Sequence, residues 1–387
     1  MATPLAWKNL VHDPRRLSVA LGGIAFAVML MFQQRGFQNA LFDSTVEIVH
    51  ELNCDIVLVN PARFALTNEI RFPKELLNLA RSQPGVAWAE PFYIENLQAR
   101  LRREGQRARP IRVWGFDIDH PILLDRDQEI HPQLKQLERT GTALIDRLSK
   151  SNYGFLLSDA ATFPQLGELN GKKIELVGLF RSGRDFANDG NLLMSTDSFA
   201  SYFPRRQPTP LSMVDLGLIK VQRDHPVAGV LTDLKTRLAS EVLVLTRQQF
   251  IDKEVNFWAR NTPIGIIFTI GTVMGFAVGV IICYQILAND IGEHLGEFAT
   301  LKAMGYPNAY FLGLVIRQAI YLGLLGFIPG LFCSWLLFLV NSNITGLLMH
   351  LTPGRVAMVL IATLTMCILS GILALRKLMA ADPASLF

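Results

Sequence analysis

The chain carries its apolar residues in four long runs and its polar residues mostly between the first run and the second. Residues 17–32, 264–287, about 311–340 and about 356–375 are the runs. Each approaches the length of about 20 predominantly apolar residues that a helix needs to cross a bilayer core. The first is at the short limit and can extend through Gln33 and Gln34. The third is long enough to tilt, or to begin as an interfacial segment before it dives. A cleaved signal peptide is the rival reading of the first run. It is disfavoured because residues 33–44 offer no convincing small-x-small cleavage site.

The block between runs one and two, residues 35–263, is long enough to fold by itself, in one lobe or two. Residues 37–51 read as a helix continuing the first span outward. Residues 54–60 are β-branched and strand-like, stopped by Pro61. Residues 72–81 read as a helix with Pro73 in its first turn and Gln83-Pro84-Gly85 ending it. Residues 86–101 and 107–116 read as two strands around a turn at Glu104-Gly105-Gln106. Further strands are expected at 173–180, 216–221 and 242–246, with short helices at 197–203 and 227–240. The fold class is therefore membrane α-helical, with four transmembrane helices and a large α+β extracytoplasmic domain inserted between helices 1 and 2. The expected divisions are 1–34 (cytoplasmic N-terminus and helix 1), 35–263 (periplasmic domain with stalk helices) and 264–387 (helices 2–4). The last contains a cytoplasmic loop at 288–310.

Charge supports this division. Of 37 Lys/Arg and 33 Asp/Glu, eight and five lie outside residues 35–263, leaving 29 and 28 within a charge-balanced block. Lys8, Arg15 and Arg16 precede span one, and Arg376 and Lys377 follow span four. Positive flanks stay cytoplasmic, so both termini are expected inside and the middle block outside. The loop at 288–310 then faces the cytoplasm, although it carries Asp290, Glu293 and Glu297 against Lys302 alone. Acids count little in that rule. The net charge of +4 reads as topology, with no nucleic-acid patch. The four cysteines offer no C-x-x-C spacing and no pair within the middle block.

Motifs of chemistry are missing. No G-x-x-x-x-G-K-[ST] occurs, since Leu166 stands where the first glycine before Gly171-Lys172 is needed. Neither H-E-x-x-H nor G-x-S-x-G is present. No catalytic residue, cofactor or resident metal is expected. His120 and His131 flank an acidic loop (Asp117, Asp119, Asp125, Asp127, Glu129) that reads either as a divalent-ion site or, preferably, as a solvated loop. Arg100, Arg102, Arg103, Arg107, Arg109 and Arg112 cluster on the 86–116 hairpin. They suit an anionic partner, or, as the favoured reading, a solvated edge that discourages strand pairing. Arg317 is the strongest candidate for an intramembrane charge, and it can snorkel to the cytoplasmic surface.

Two features remain. Gly271, Gly275 and Gly279 recur at four-residue spacing and define a face on which another helix can approach closely; Gly326 and Gly330 flank Pro329 in span three. Whether that seam lies within one subunit or between two is open. The loop at 288–310 reads as a short amphipathic helix, with Ile291, Leu295, Phe298, Ala299, Leu301 and Met304 at helical spacing and Glu293 and Glu297 on another face. Asp290 is expected to cap it, and Gly305 and Pro307 to end it. It suits protein docking, or alternatively a helix lying on lipid; a glutamate-rich face suits anionic lipid poorly.

At this loop the chain resembles a known family. EFATLKAMGYP, Glu297 to Pro307, is similar to the coupling-helix motif of the FtsX/MacB superfamily of ABC-transporter permeases. The segment 256–287, HLGEFATLKAMGY, GFIPG at 326–330 and the C-terminal DPASLF resemble DevC-type permeases of that superfamily. The resemblance implies a homodimer working with a separate ABC ATPase, a membrane-fusion adaptor and a TolC-like outer-membrane channel. It implies export of a lipidic or amphiphilic substrate, such as a glycolipid, driven by motion transmitted through the membrane helices to the periplasmic domain, with membrane lipids as further partners. Carried to this chain, Glu293, Glu297, Leu301, Lys302, Ala303, Met304 and Gly305 would contact the ATPase, and residues 37–51 and 248–260 would be the stalk. FtsX-type activation of a cell-wall hydrolase and LolC/LolE-type lipoprotein release share the same features. The chain departs from MacB in lacking a fused ATPase domain. Arg317-Gln318 also stands where relatives often carry an acid.

Overall fold

The structure is a computed structural model that describes residues 14–120, 122–124, 130–185, 187–238, 241–293, 295–345, 349 and 351–379. Lys8, Asp125, Asp127, Glu129, His294 and the DPASLF segment lie outside these. The chain forms two compact units, one of residues up to Ala40 plus the described chain from Pro263 onward, the other of Leu41–Thr262.

Four helices among the described residues are long and apolar enough to cross a membrane: α1 (Pro14–Glu51), α7 (Pro263–Glu293), α9 (Asn308–Thr345) and α10 (Pro353–Met379). The chain is a multi-pass membrane protein. Of these, α7 and α10 begin at proline, whose fixed φ suits a first helical turn and whose missing N–H has no partner to lose there. The membrane unit has its own core, including Ile24, Val28, Met31, Cys283, Leu287, Val315, Leu322 and Met366. Ser370 donates to the Val280 carbonyl at 2.8 Å, and Cys283 and Cys367 sulfurs lie 3.5 Å apart, both joining α10 to α7.

The second unit is built on one eleven-stranded mixed sheet. Its strands are β1 (Ile56–Val59), β3 (Val86–Glu95), β4 (Arg100–Arg102), β5 (Arg109–Pro110), β6 (Arg112–Phe116), β7 (Thr142–Asp146), β8 (Gln165–Leu169), β9 (Lys172–Phe180), β10 (Asn191–Ser195), β12 (Leu216–Val221) and β13 (Leu243–Thr246). The order is β13-β1-β12-β3-β6-β10-β7-β9-β8-β4-β5. Two short strands, β2 (Phe72–Pro73) and β11 (Met213–Val214), pair separately. β6 and β10 run parallel, as do β7 and β9; the other pairs are antiparallel.

Alternate strand residues feed two apolar layers, because strand side chains point to opposite faces. Ile56, Leu58 and Val113 enter one layer with Leu77 and Ala80 of α2 (Lys74–Arg81), Phe199 of α4 (Thr196–Tyr202) and Leu234 of α5 (Val227–Arg237). Val57, Val59, Trp114 and Phe116 enter the other. There they meet Val46 and Val49 of α1, Leu137 of α3 (Leu134–Leu137), and Phe250 and Ile251 of α6 (Arg247–Arg260). The sheet is thus covered on both faces, which explains why its central strands are continuously buried.

Several expected elements shift. The helix expected from Phe72 begins only at Lys74, because Phe72 and Pro73 pair with β11. The long strand expected at 86–101 breaks after Glu95, and the turn at Glu104-Gly105 is followed by two strands, β5 and β6. Strands β7, β8 and β10 were not legible in the pattern.

Candidate functional site

The turn from α7 to α9 carries the exposed face that sequence reasoning singled out. α7 runs to Glu293, so Asp290 lies inside it and does not cap the next helix. Instead the Asp290 carboxylate accepts a hydrogen bond from Gln318 Nε2 of α9 at 3.1 Å. Gln318 is buried, and this bond partners its Nε2 while its Oε1 has no partner among the described residues. The next helix, α8, is Leu295–Ala303. The side chains of Leu295, Phe298 and Ala299 lie outside the described residues. Ile291 is buried in the membrane-unit core and Leu301 packs against it. Glu293, Glu297, Lys302, Ala303, Met304 and Gly305 are exposed.

The end of α8 is fixed by backbone chemistry. Gly305 takes φ +93°, a left-handed conformation that costs glycine little. Its N–H donates to the Lys302 carbonyl at 3.0 Å, and the Tyr306 N–H donates to the Leu301 carbonyl at 3.2 Å. This pair of bonds is the Schellman arrangement, and Pro307 follows where the helix cannot continue. Met304 was expected on the apolar face, but the chain reverses there, and it stands 63% exposed beside Tyr306 at 43%. The Tyr306 and Tyr310 rings pack with centroids 4.8 Å apart. At the root of the turn, Arg16 of α1 forms a two-pronged ion pair with Glu293 at the end of α7. Sequence reading named Glu293 but not its partner. Arg317 is exposed on α9.

The glycine face of α7 lies against its own subunit. A Cβ on Gly271 would sit 2.7 Å from the Gln34 side chain of α1. At Gly275 it would find ordinary contacts with Met31 at 3.6 Å and Leu30 at 3.7 Å. At Gly279 it would strike Met366 of α10 and come within 3.1 Å of Ala27. α1 meets a second pair of glycines, on α9, through an adjacent face. A Cβ on Gly326 would lie 2.6 Å from Ile24, and one on Gly330 would lie 2.8 Å from Val28.

In the second unit, a buried ionic cluster went unread in the sequence. Asp215, fully buried, accepts from Arg63 at 3.1 Å, Arg71 at 3.2 Å and Arg206 at 2.6 Å. Its other acceptor bond comes from the Ile94 N–H at 2.9 Å. Glu95 lies 3.5 Å from Arg71 and 3.7 Å from Arg206, and Glu69 pairs with Arg71 at 3.1 Å. Burial first, and the Glu69 carboxylate second, raise the Glu95 carboxyl to about 7. Glu254 of α6 is also buried; it accepts from the Leu66 N–H at 3.0 Å and from Trp258 Nε1 at 3.0 Å. Burial raises its pKa. Lys253 donates to the Arg63 carbonyl at 2.6 Å. These bonds fasten α6 to the 63–66 loop. Nothing in a one-dimensional pattern joins residues so far apart.

The arginine cluster does not form one surface. Arg112 is buried, 2.5 Å from Asp185, bonded to Asn191 at 2.9 Å and 4.8 Å from the Trp114 ring centroid. Arg102 pairs with Glu168 at 2.7 Å, and Arg103 donates to the Gly154 carbonyl at 2.7 Å. β5 is the edge strand of the sheet. Near the acidic loop, His120 lies 3.4 Å from Glu90 and 3.7 Å from Asp117. Glu90 already pairs with Arg81 at 3.0 Å.

Residues 264–383 match the family description "FtsX-like permease C-terminal". An ABC transporter permease of Mycobacterium tuberculosis, from strains CDC 1551 and H37Rv, is 20% identical over 386 residues, covering 99% of this chain and 98% of the relative. The periplasmic region of MacB from Actinobacillus actinomycetemcomitans aligns at TM-score 0.36 and 12% identity, over 52% of this chain and 92% of that one. The extracellular domain of the noncanonic ABC-type transporter YknZ from Gram-positive bacteria aligns at TM-score 0.34 and 9% identity, over 50% and 98%. The chain is a homologue of ABC transporter permeases and carries an FtsX-like permease domain at residues 264–383.

Proposed function

We propose that the chain is the membrane subunit of an ATP-driven, mechanically coupled exporter, and that the turn carrying α8 is where a separate ATPase docks. ABC permease subunits do not themselves hydrolyse ATP, and the chain has no phosphate-binding loop. An ABC ATPase is therefore its required partner. The observation that carries the docking assignment is the exposed end of α8: Glu297, Lys302, Met304 and Tyr306 project from a helix whose stop is set by Gly305 and whose root is held by Arg16, Glu293 and Gln318. An exposed apolar and aromatic group on a rigid support is what a protein partner can grip.

Motion at that turn would pass from α7 into α1 and α9 through the Arg16–Glu293 and Asp290–Gln318 contacts. The glycine seam of Gly271, Gly275 and Gly279 supports transmission, because small residues leave α1, α7 and α10 in close contact. In this reading the termini and α8 are cytoplasmic, and the large sheet unit is outside. Its stalk comprises the outer end of α1 and α6, the latter anchored by Glu254. The working assembly is a homodimer with two ATPases, a membrane-fusion adaptor and a TolC-like channel, and the substrate is lipidic or amphiphilic. Purifying the tagged chain in mild detergent with crosslinking tests the partners. An ATPase together with a fusion-type adaptor supports export. An ATPase with a cell-wall hydrolase moves the assignment to mechanical activation.

A further inference from the structure

At the end of the membrane unit away from α8, helices α1, α9 and α10 leave a cavity of about 220 Å³. Its floor is apolar: Phe32 and Phe338 with Val359 and Met358. Its rim carries two guanidiniums, Arg35 and Arg355, and among the described residues no carboxylate lines it. Arg35 makes one hydrogen bond, from Nη1 to Gln38 Oε1 at 3.0 Å, and its Nε is fully buried without a partner. Gln38 is neutral, so the Arg35 charge is held half-buried beside the cavity without a counter-charge on that bond. Burying a cation's N–H without a partner is costly, and the guanidinium that carries it lines the cavity, where an anion can meet its charge.

The position along α1 sets the depth. Arg35 lies nineteen residues beyond Arg16, about 28 Å along a helix at 1.5 Å per residue. That distance is close to the ~30 Å hydrocarbon thickness of a bilayer. Arg35 therefore sits where headgroups begin, and the phenyl groups of Phe32 and Phe338 lie where acyl chains begin. Gln33 and Asn341, joined by a 3.0 Å hydrogen bond, mark the same level.

We propose that this cavity is a binding site for an anionic phospholipid, with its phosphate against Arg35 and Arg355 and the start of an acyl chain on the phenylalanine floor. Basic pockets between membrane helices bind acidic headgroups for this reason. In the orientation proposed above this is the outer end, where short flanks are usually poor in arginine, so a specific role accounts for two of them. The site stands on the cavity and its charges, and does not depend on the transport assignment.

The test uses the full chain in lipid nanodiscs of phosphatidylcholine with a minor fraction of phosphatidylglycerol, released into native mass spectrometry. One retained phosphatidylglycerol per chain, in preference to phosphatidylcholine, is expected. Arg35→Gln and Arg355→Gln should each weaken retention about fivefold, and the pair should abolish the preference. Arg317→Gln, at the other end of the bundle, should leave it unchanged. Met358→Trp, which fills the floor and keeps both arginines, should also weaken retention. Equal retention of the two lipids, or unchanged preference in the double variant, overturns the proposal. Displacement of the lipid by millimolar inorganic phosphate would also overturn it, since that shows a bare anion site.

Discussion

Arg16, near the start of α1, and Glu293, at the end of α7, form an ion pair that ties the first membrane helix to the root of the exposed α8 turn. The two side chains are 42% and 55% exposed, so solvent screens the pair and its contribution to stability is small, about 0–1 kcal/mol. Its proposed importance is to position. Arg16→Glu should leave folding intact and lower the stimulation of a partner ATPase. Arg16→Glu combined with Glu293→Arg should restore much of it. Reconstituted ATPase assays on the single and double variants measure this, and no rescue would remove the pair from the coupling route.

Gly305 can be tested by its backbone alone. Its φ of +93° is strained for any L side chain, at a cost of roughly 1–2 kcal/mol. Gly305→Val should fray the end of α8 and reduce ATPase association, while membrane insertion and the Arg16–Glu293 end of α7 persist. Hydrogen exchange at Gly305 and Tyr306, together with pull-down of the ATPase, reads both effects. Unchanged exchange would show that the turn does not need glycine.

The glycine seam predicts a graded series. Gly275→Ala meets ordinary contacts and should be nearly neutral. Gly279→Ala collides with Met366 and crowds Ala27, and overpacking of this kind costs about 1–3 kcal/mol. Leucine at either position should be worse. Thermal unfolding in detergent orders the variants, and equal midpoints for Gly275→Ala and Gly279→Ala would contradict the packing described.

The ionic cluster around Asp215 gives the sheet unit a pH dependence. Glu95 is raised to about 7 when folded, from an ordinary 4.5. A group that binds its proton more tightly when folded stabilises the fold fully below the lower value, and that stabilisation is lost as pH rises through the upper. Burial raises Glu254 and Asp146 in the same direction. Protection factors of β3 and β12 amides should therefore fall between pH 5 and pH 7.5. Glu95→Gln should reduce that slope, with Glu254 and Asp146 supplying the remainder. Asp215→Ala, which strands three arginines, should cost about 3–5 kcal/mol.

The membrane helices were legible because a bilayer demands long apolar runs, and little else in a sequence produces them. The end of α8 was legible from Gly305 and Pro307 because a helix stop is a local property. Its start was not: Asp290 looks like a cap in one dimension, and only the neighbouring Gln318 shows why it sits inside α7. Strand β10 was invisible because only three apolar residues, Leu192 to Met194, stand between Asn191 and Ser195, too short a run to read; Asn191 at its start is buried against Asp146 at 2.7 Å. The Asp215 cluster gathers Arg63, Arg71 and Arg206 from separate segments, and the partner of Glu293 lies 277 residues away. Long-range ion pairs leave no periodic trace. Arg112 shows the converse: a sequence cluster of arginines was dispersed because Arg112 opens β6, a strand buried along its whole length, and pairs there with Asp185.

The most direct test of the docking assignment places a photocrosslinking residue at Met304 in the full chain, in membranes of its host, and identifies what it captures by mass spectrometry. The account predicts an ABC ATPase subunit at Met304 and at Glu297, and none at Arg355 on the opposite end of the bundle. Capture of lipid alone at Met304 and Glu297, with an ATPase that still co-purifies through another surface, would contradict it.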